Sequence, residues 1–293
     1  MEQQLIDTAK YKIHLQSLDS RFADYHDTNN SGFKLTLVHP LKNIMRVRLA
    51  SIELPLVEYL FSEQYGNLTM AVGVGTAGFK PMKPLIPGNY CADVLIQKIN
   101  ENLKLIHPGF SCEMNSINGQ CTIKNATEPF ELYMFSYKNT IAKRKNYWGL
   151  GYYLGFREGR VSAKPNKDGS YSITGPSVVN IQQNQYYLLQ LYYPDSVVNV
   201  IHRTEDDGYI EAFAKLVLKE GYFTIAFDDN SNLLRKEFTF LAPVTIPQFT
   251  LKLLNQYGEP VNMLGVEWSV TVEITEITNS KTYTTLSRTY ANK

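Results

Sequence analysis

The sequence predicts an all-β protein, and its last fifty residues carry most of that prediction. Two runs there place an apolar residue at every second position, which indicates strands with one buried face. Between them, Tyr257-Gly258-Glu259-Pro260 supplies a glycine able to take positive φ and a proline that interrupts strand pairing. Twenty Tyr and fourteen Phe also favour strands. The apolar positions of the two runs are Phe249, Leu251, Leu253, Val266, Trp268, Val270, Val272 and Ile274.

Three more strands are predicted near the amino terminus. The runs from Tyr11 to Leu15 and from Phe33 to Leu37 alternate in the same way around a polar loop. A longer strand spans Ile44 to Leu54, but its apolar positions change parity near Ala50-Ser51. One extra residue in a strand produces that change, so we expect a β-bulge there, with Pro55 ending the strand.

One helix is predicted between these strands and the next hairpin. It begins with Asn89 as the N-cap after Pro87-Gly88 and runs to about Ile106, where His107-Pro108-Gly109 ends it. Its apolar positions have helical spacing: Leu95, Ile99, Leu103 and Ile106.

A hairpin follows the helix, and Asn118-Gly119 is the signature of a two-residue type I′ turn. If these residues form the turn, Met114 lies opposite Ile123. That register keeps Cys112 away from Cys121 and predicts no disulfide between them. An odd total of three cysteines without metal or redox spacing points the same way.

Further strands are expected in the second half of the chain. With more than ten strands and one helix, the prediction is an all-β sandwich or barrel. No linker clearly divides the chain. The additional strands are Val178–Ile181, Gln185–Tyr193, Val197–Ile201, Tyr209–Leu218, Tyr222–Phe227 and Glu237–Leu241.

Composition and motifs argue against catalysis. A net charge of +1 gives no overall attraction to nucleic acid. The sequence shows neither a signal peptide nor an apolar run long enough to span a membrane. We therefore expect a soluble protein made in the cytosol. The G-x-G-x-x-G run from Gly73 to Gly78 is followed by prolines, not by the helix a dinucleotide needs. We interpret it as a loop, and the acidic residues near His202 and at Asp228-Asp229 as turns. No cofactor, metal site or catalytic residue is predicted.

A basic segment between residues 138 and 167 holds eight basic residues against one acid, Glu158. Lys143-Arg144-Lys145 is followed by Tyr147-Trp148, which combines positive charge with stacking surfaces. Such a segment is usually a solvated face; the alternative is contact with an anionic partner. The candidate contact residues are Lys143, Arg144, Lys145, Arg157, Arg160, Lys164 and Lys167.

Short stretches spread over nearly the whole chain resemble a known family of capsid proteins, those of nucleocytoplasmic large DNA viruses. The chain is similar to their vertex (penton) and minor capsid jelly-roll proteins. The stretches are Leu18-Asp19-Ser20-Arg21-Phe22, Lys42-Asn43-Ile44, Ser51-Ile52-Glu53-Leu54-Pro55, Pro87-Gly88-Asn89-Tyr90, Leu154-Gly155-Phe156, Leu254-Asn255-Gln256-Tyr257-Gly258 and Glu267-Trp268-Ser269-Val270.

The resemblance implies an all-β jelly-roll β-sandwich, a single capsid domain over residues 1–293. The chain is short for two eight-stranded barrels, so one barrel with an insertion fits better. The helix, the hairpin and the basic loop are expected to form this insertion, at about residues 79–177. It also implies a shell protein of the virion, made in the host cytoplasm, most simply the penton subunit at five-fold vertices.

The partners implied by the resemblance are four further copies in a homopentamer, the major capsid protein and other minor capsid proteins, with no small-molecule substrate. An internal membrane or nucleic acid would contact the basic segment. Two alternatives stay open: a minor capsid protein at another shell position, and a carbohydrate-binding spike or lectin-like β-sandwich that stacks Tyr and Trp on sugars.

Overall fold

The structure is a computed structural model that describes residues 11–134, 149–182, 184–192, 201–203, 209–228 and 236–278. Its strands form curled antiparallel sheets, so the predicted all-β, jelly-roll-like class is confirmed. The chain divides into two compact units. Unit 1 comprises Met1–Glu58 and Asn184–Lys293, and unit 2 comprises Tyr59–Gln183, a range that contains the insertion expected at about 79–177.

The described residues form eighteen strands and two α-helices. The helices are α1 (Ala92–Lys104) and the single-turn α2 (Leu150–Tyr153). The strands are β1 (Tyr11–Asp19), β2 (Tyr25–His26), β3 (Gly32–Pro55), β4 (Ala71–Val74), β5 (Lys80–Pro81), β6 (Phe110–Met114), β7 (Gln120–Asn125), β8 (Phe130–Tyr133), β9 (Arg160–Ser162), β10 (Lys164–Pro165), β11 (Tyr171–Val178), β12 (Tyr186–Tyr192), β13 (Ile201–Arg203), β14 (Tyr209–Glu211), β15 (Ala214–Val217), β16 (Ile225–Asp228), β17 (Glu237–Leu254) and β18 (Ser269–Ile277).

Unit 1 is built on two long strands, β3 and β17, that change neighbours along their length. The first part of β3 pairs with β2 and with the end of β17. From there the sheet continues, because β17 pairs with β12 and β12 pairs with β15. The last part of β3 pairs with β18 on one side and with β16 on the other, and β1 lies outside β18. Register shifts in β17 fall next to Pro243 and Pro247, where a ladder hydrogen bond is missing. Bends of this kind let one strand pass from one layer of a sandwich to the other.

One apolar core lies between the two parts of this sheet. The alternation near the carboxyl end is confirmed, because its apolar side chains are buried, except Val266, which precedes β18 and is partly exposed. The Trp268 ring meets Phe33 edge to face at 4.8 Å between centroids, and its indole Nε1 donates to the Asn30 carbonyl oxygen at 3.1 Å. The two ends of unit 1's sequence therefore share a core. Its members from β3, β17 and β18 include Phe33, Val47, Leu49, Ile52, Leu54, Phe249, Leu251, Leu253, Val270, Val272 and Ile274.

Two details of unit 1 test the predicted strand faces. The bulge near Ala50-Ser51 is confirmed, because Thr271 pairs with Ser51 while Val272 pairs with Leu49. In β1 the apolar alternation faces outward instead of inward: Ile13 and Leu15 are 58% and 65% exposed. Ile13 and Leu15 lie opposite Thr275 and Glu273 of β18, on the face of the sheet away from the core, so local alternation in β1 does not say which of its faces the core covers.

Unit 2 contains the predicted helix in shorter form. Leu95, Ile99 and Leu103 are buried as expected, but α1 begins after Cys91. The prediction of Asn89 as the N-cap is wrong, since Cys91 occupies that position. The side-chain oxygen of Asn89 accepts a hydrogen bond from the Leu60 backbone N–H at 2.7 Å. The Gly73–Gly78 run connects β4 to β5 through a turn, with Gly75 at φ +56°, which confirms a loop and not a phosphate-binding helix start.

The predicted register of the β6–β7 hairpin is wrong by two residues. Met114 lies opposite Cys121, and Cys112 lies opposite Ile123. The connection is longer than two residues because Asn115 Oδ1 accepts hydrogen bonds from the backbone of Ile117 and Asn118, at 2.8 and 3.3 Å. Residues 115–119 therefore form the turn.

Several predicted strand bounds are corrected. The strand predicted at Val178–Ile181 is instead β11, which ends at Val178, and the one predicted at Tyr209–Leu218 is interrupted between β14 and β15. Glu237–Leu241 is the start of the continuous β17. Most of Val197–Ile201, and the acidic residues after His202, lie outside the described residues.

Candidate interaction surfaces

A solvent-facing apolar surface on unit 1 is formed where β16 pairs with the end of β3. Ile225 and Phe227 lie opposite Pro55 and Glu53 and point outward, with 63% and 58% of their surface exposed, whereas the intervening Ala226 faces the core. We call Ile225 and Phe227 the outer patch. Large apolar side chains gathered on a surface are typical of protein interaction sites.

A shallow groove of about 230 Å³ adjoins Ile225. Its acidic residues include Asp19, which Arg21 engages through hydrogen bonds from Nε at 3.1 Å and Nη2 at 2.6 Å. The Arg21 guanidinium lowers the pKa of the Asp19 carboxyl. Glu53 Oε2 accepts from Ser269 at 2.6 Å. The groove is thus acidic overall, and two of its carboxylates, Asp19 and Glu53, already have hydrogen-bond donors within the groove. Its lining residues are Asp19, Arg21, Glu53, Pro55, Ile225, Glu267, Trp268 and Ser269.

A second apolar surface follows the edge strand β1. We call Tyr11, Ile13 and Leu15, which are all exposed, the β1 stripe. In the described part of the chain β1 pairs with β18 alone, so its other edge presents backbone donors and acceptors without a neighbouring strand. Such an edge can accept a strand from another chain.

A charged ladder lies beside the β1 stripe on the same outward face. Arg46 lies 3.5 Å from Glu273 and 3.8 Å from Glu237, and Arg48 lies 3.9 Å from Glu273. Because these charges are matched across β3, β17 and β18, they need no external ion to balance them.

The basic segment is only partly within the described residues, which include four of its seven predicted contact residues. Lys143, Arg144 and Lys145 lie outside them. The described members are two arginines that have partners within unit 2 and two exposed lysines, Lys164 and Lys167.

The two arginines have partners in unit 2. Arg157 donates to the carbonyl oxygens of Tyr152 and Phe156 at 2.8 and 3.2 Å, and its guanidinium stacks 4.2 Å from the Tyr152 ring centre. Arg160 pairs with Glu131. Arg157 and Lys164 do line one open groove of about 560 Å³, and Glu158 lies in the same groove.

A buried carboxylate, which the sequence did not single out, lies where the chain leaves and re-enters unit 1. Glu58 is 5% exposed and accepts hydrogen bonds from Asn184 Nδ2 at 2.6 Å and from the Tyr187 hydroxyl at 3.0 Å. Burial, and then the Glu58 charge, raise the pKa of Tyr187. Residues 126 positions apart in the sequence thus meet at one polar contact.

Among the described residues, no group of three or more His, Cys, Asp and Glu side chains is placed to hold a metal ion. None of the described helices is long and apolar enough to cross a membrane.

The two units therefore define an all-β, jelly-roll-like protein, with apolar surfaces exposed on unit 1. No protein-family model matches the chain, and no curated protein matches it. Among solved structures, the chain is similar to the crystal structure of the selenomethionine-labelled mavirus penton protein. The identity is 11%, the TM-score is 0.46, and the alignment covers 90% of this chain and 99% of the mavirus chain.

Proposed function

We propose that this protein is a structural capsid protein of a large DNA virus and, more specifically, the penton subunit at the five-fold vertices. The observation that carries the proposal is the pair of exposed apolar surfaces on unit 1, the outer patch and the β1 stripe. Both stand on a two-part sheet whose inward side chains form a buried apolar core. Burial of such side chains against neighbouring subunits is favourable by roughly 1.5–3 kcal/mol for each large residue that becomes fully covered.

Contacts between copies through these surfaces are proposed to close into a ring. A contact between different surfaces of neighbouring copies closes when the rotation between copies permits. Hydrogen bonding at the β1 edge would add to the apolar contact, and the acidic groove would favour a neighbour that presents basic side chains. The resemblance of short stretches of the sequence to penton and minor capsid proteins supports the same proposal, and the major capsid protein would be the other neighbour.

The oligomeric state of the purified full chain tests the proposal. We expect sedimentation velocity to show concentration-dependent pentamers, and Ile225→Glu to weaken association more than tenfold because a carboxylate would be buried at the contact. Ile117→Glu is the matched control, since Ile117 is 95% exposed at the β6–β7 turn of unit 2. Monomers at every concentration, or equal effects of the two variants, would contradict the proposal. Glycan binding by a monomer would favour the carbohydrate-binding alternative.

The basic segment is proposed to face an anionic neighbour, either an acidic protein surface, an internal membrane or nucleic acid. Lys143, Arg144 and Lys145 are the residues to change together, because Arg157 and Arg160 already have partners in unit 2. Reversal of all three to Glu should abolish binding to anionic vesicles or single-stranded DNA without changing the thermal stability. If assembly and binding are both unaffected, the segment has no such role.

A further inference from the structure

Cys112 and Cys121 meet inside the β6–β7 hairpin of unit 2. Their Sγ atoms lie 3.5 Å apart, and both side chains are buried. The register places Cys112 opposite Ile123 and Cys121 opposite Met114, so the two cysteines occupy the same face as diagonal neighbours. The third cysteine, Cys91, is exposed and precedes α1.

The two strands that carry the cysteines each contact a neighbouring element. The Cys112 backbone N–H donates to Asn100 Oδ1 on α1 at 3.3 Å. On the other strand, β7 pairs with β11, and the hydroxyls of Thr122 and Thr174 lie 2.9 Å apart across that pairing. A disulfide has its sulfurs about 2.05 Å apart, so they must approach by about 1.5 Å. Side-chain rotation and a small closing of the hairpin can supply that movement.

We propose that Cys112 and Cys121 form an intramolecular disulfide when the folded protein meets oxidising conditions. With glutathione disulfide as the oxidant, one cysteine thiolate attacks it and releases one glutathione, and the second cysteine then displaces the other glutathione. Two protein thiols lose two electrons and two protons in total, and two molecules of glutathione are formed. This inference does not depend on the proposed function.

The environment of the two cysteines makes disulfide formation slow. The proposal is therefore tested by the fraction of disulfide at equilibrium and not by the rate at which it forms. The hydrogen bond with Cys121, together with burial, raises the pKa of the Cys112 thiol well above its usual range. Little thiolate is therefore present at neutral pH, and the thiolate is the form that attacks a disulfide. A protein folded in a reducing compartment would keep both thiols until long exposure to an oxidant. The cross-link would then restrict the unfolded chain and stabilise the hairpin.

The test uses the full chain equilibrated in glutathione buffers from fully reducing to fully oxidising, quenched in acid, and then unfolded in urea and alkylated near neutral pH. We expect mass spectrometry to show three alkylated cysteines in the reducing buffer. In the oxidising buffer, Cys112 and Cys121 should be cross-linked in one proteolytic fragment, with at most Cys91 left to react. Cys91→Ser should leave this cross-link intact. The oxidised protein should unfold a few degrees higher than the reduced one, a difference that dithiothreitol removes.

The expected change in Cys112→Ser and in Cys121→Ser is loss of both the cross-link and the thermal shift. If these variants fail to fold, the fragment mass of Cys91→Ser decides the question alone. Free Cys112 and Cys121 in the oxidising buffer, or a disulfide that involves Cys91, would overturn the proposal.

Discussion

Removal of the Glu58 carboxylate should destabilise unit 1 strongly, because this group accepts hydrogen bonds from Asn184 and Tyr187 in a site that is almost closed to water. Hydrogen bonds to a charged group contribute about 1.5–3 kcal/mol each, and a buried donor left without an acceptor costs about 1–3 kcal/mol. For Glu58→Ala we therefore expect a loss of about 3–5 kcal/mol in the free energy of unfolding.

Glu58→Gln separates the hydrogen bonds from the side-chain volume. The amide keeps one acceptor oxygen and nearly the same shape, so the loss should be about 1–2 kcal/mol. Urea unfolding followed by circular dichroism measures both values. Glu267→Ala is the control within unit 1, because this exposed glutamate should change the free energy of unfolding by less than about 0.5 kcal/mol. If the two Glu58 variants are equally unstable, or if Glu58→Ala loses less than about 1 kcal/mol, the carboxylate does not hold this contact.

Two further predictions concern pH and backbone conformation. Since the folded state raises the pKa of Tyr187 above 10.0, the unfolded chain ionises first, and stability is lost as pH rises from about 10 through the raised value. Comparison of wild type with Tyr187→Phe by urea unfolding at pH 9 to 11 should show a shallower fall in the variant, and parallel curves would refute the link. Gly155 has φ +90°, and an added Cβ would overlap the Ser177 carbonyl oxygen, so Gly155→Ala should cost at least about 3 kcal/mol. Gly169 has φ +81° with no atom within 4 Å, and Gly169→Ala should cost only about 1–2 kcal/mol when both variants are compared by urea unfolding; equal losses would refute the role of the overlap.

The carboxyl-terminal strands and the bulge at Ala50 could be predicted because their signals are local. Two-residue alternation over a whole strand determines which side chains share a face, and a change of parity marks the inserted residue. Burial of Val270 and Val272 opposite the bulged strand follows from that pattern alone.

The β1 stripe and the hairpin register could not be predicted for two different reasons. Alternation in β1 separates Ile13 and Leu15 from His14, but only the register with β18 places Ile13 and Leu15 on the face away from the core. In the hairpin, the Asn118-Gly119 signature competes with the Asn115 side chain, which accepts two backbone hydrogen bonds and lengthens the turn. A two-residue change in register brings Cys112 to Cys121.

The candidate surfaces could also be predicted only in part from the sequence. The basic segment is visible as composition, yet its arginines at 157 and 160 pair within unit 2. Ile225 and Phe227 share a face opposite Ala226, which is the ordinary pattern of a buried strand. Only the pairing of β16 with the end of β3 shows that Ala226 faces the core and that the larger residues face solvent.

An electron cryomicroscopy reconstruction of the purified full-length oligomer tests most directly whether the exposed apolar side chains of unit 1 exist to be covered by other copies. The expected reconstruction has five copies around one axis, with Ile225 and Phe227 buried against the adjacent copy. Particles in which both side chains remain open to water, or in which the copies do not form a five-membered ring, would contradict it.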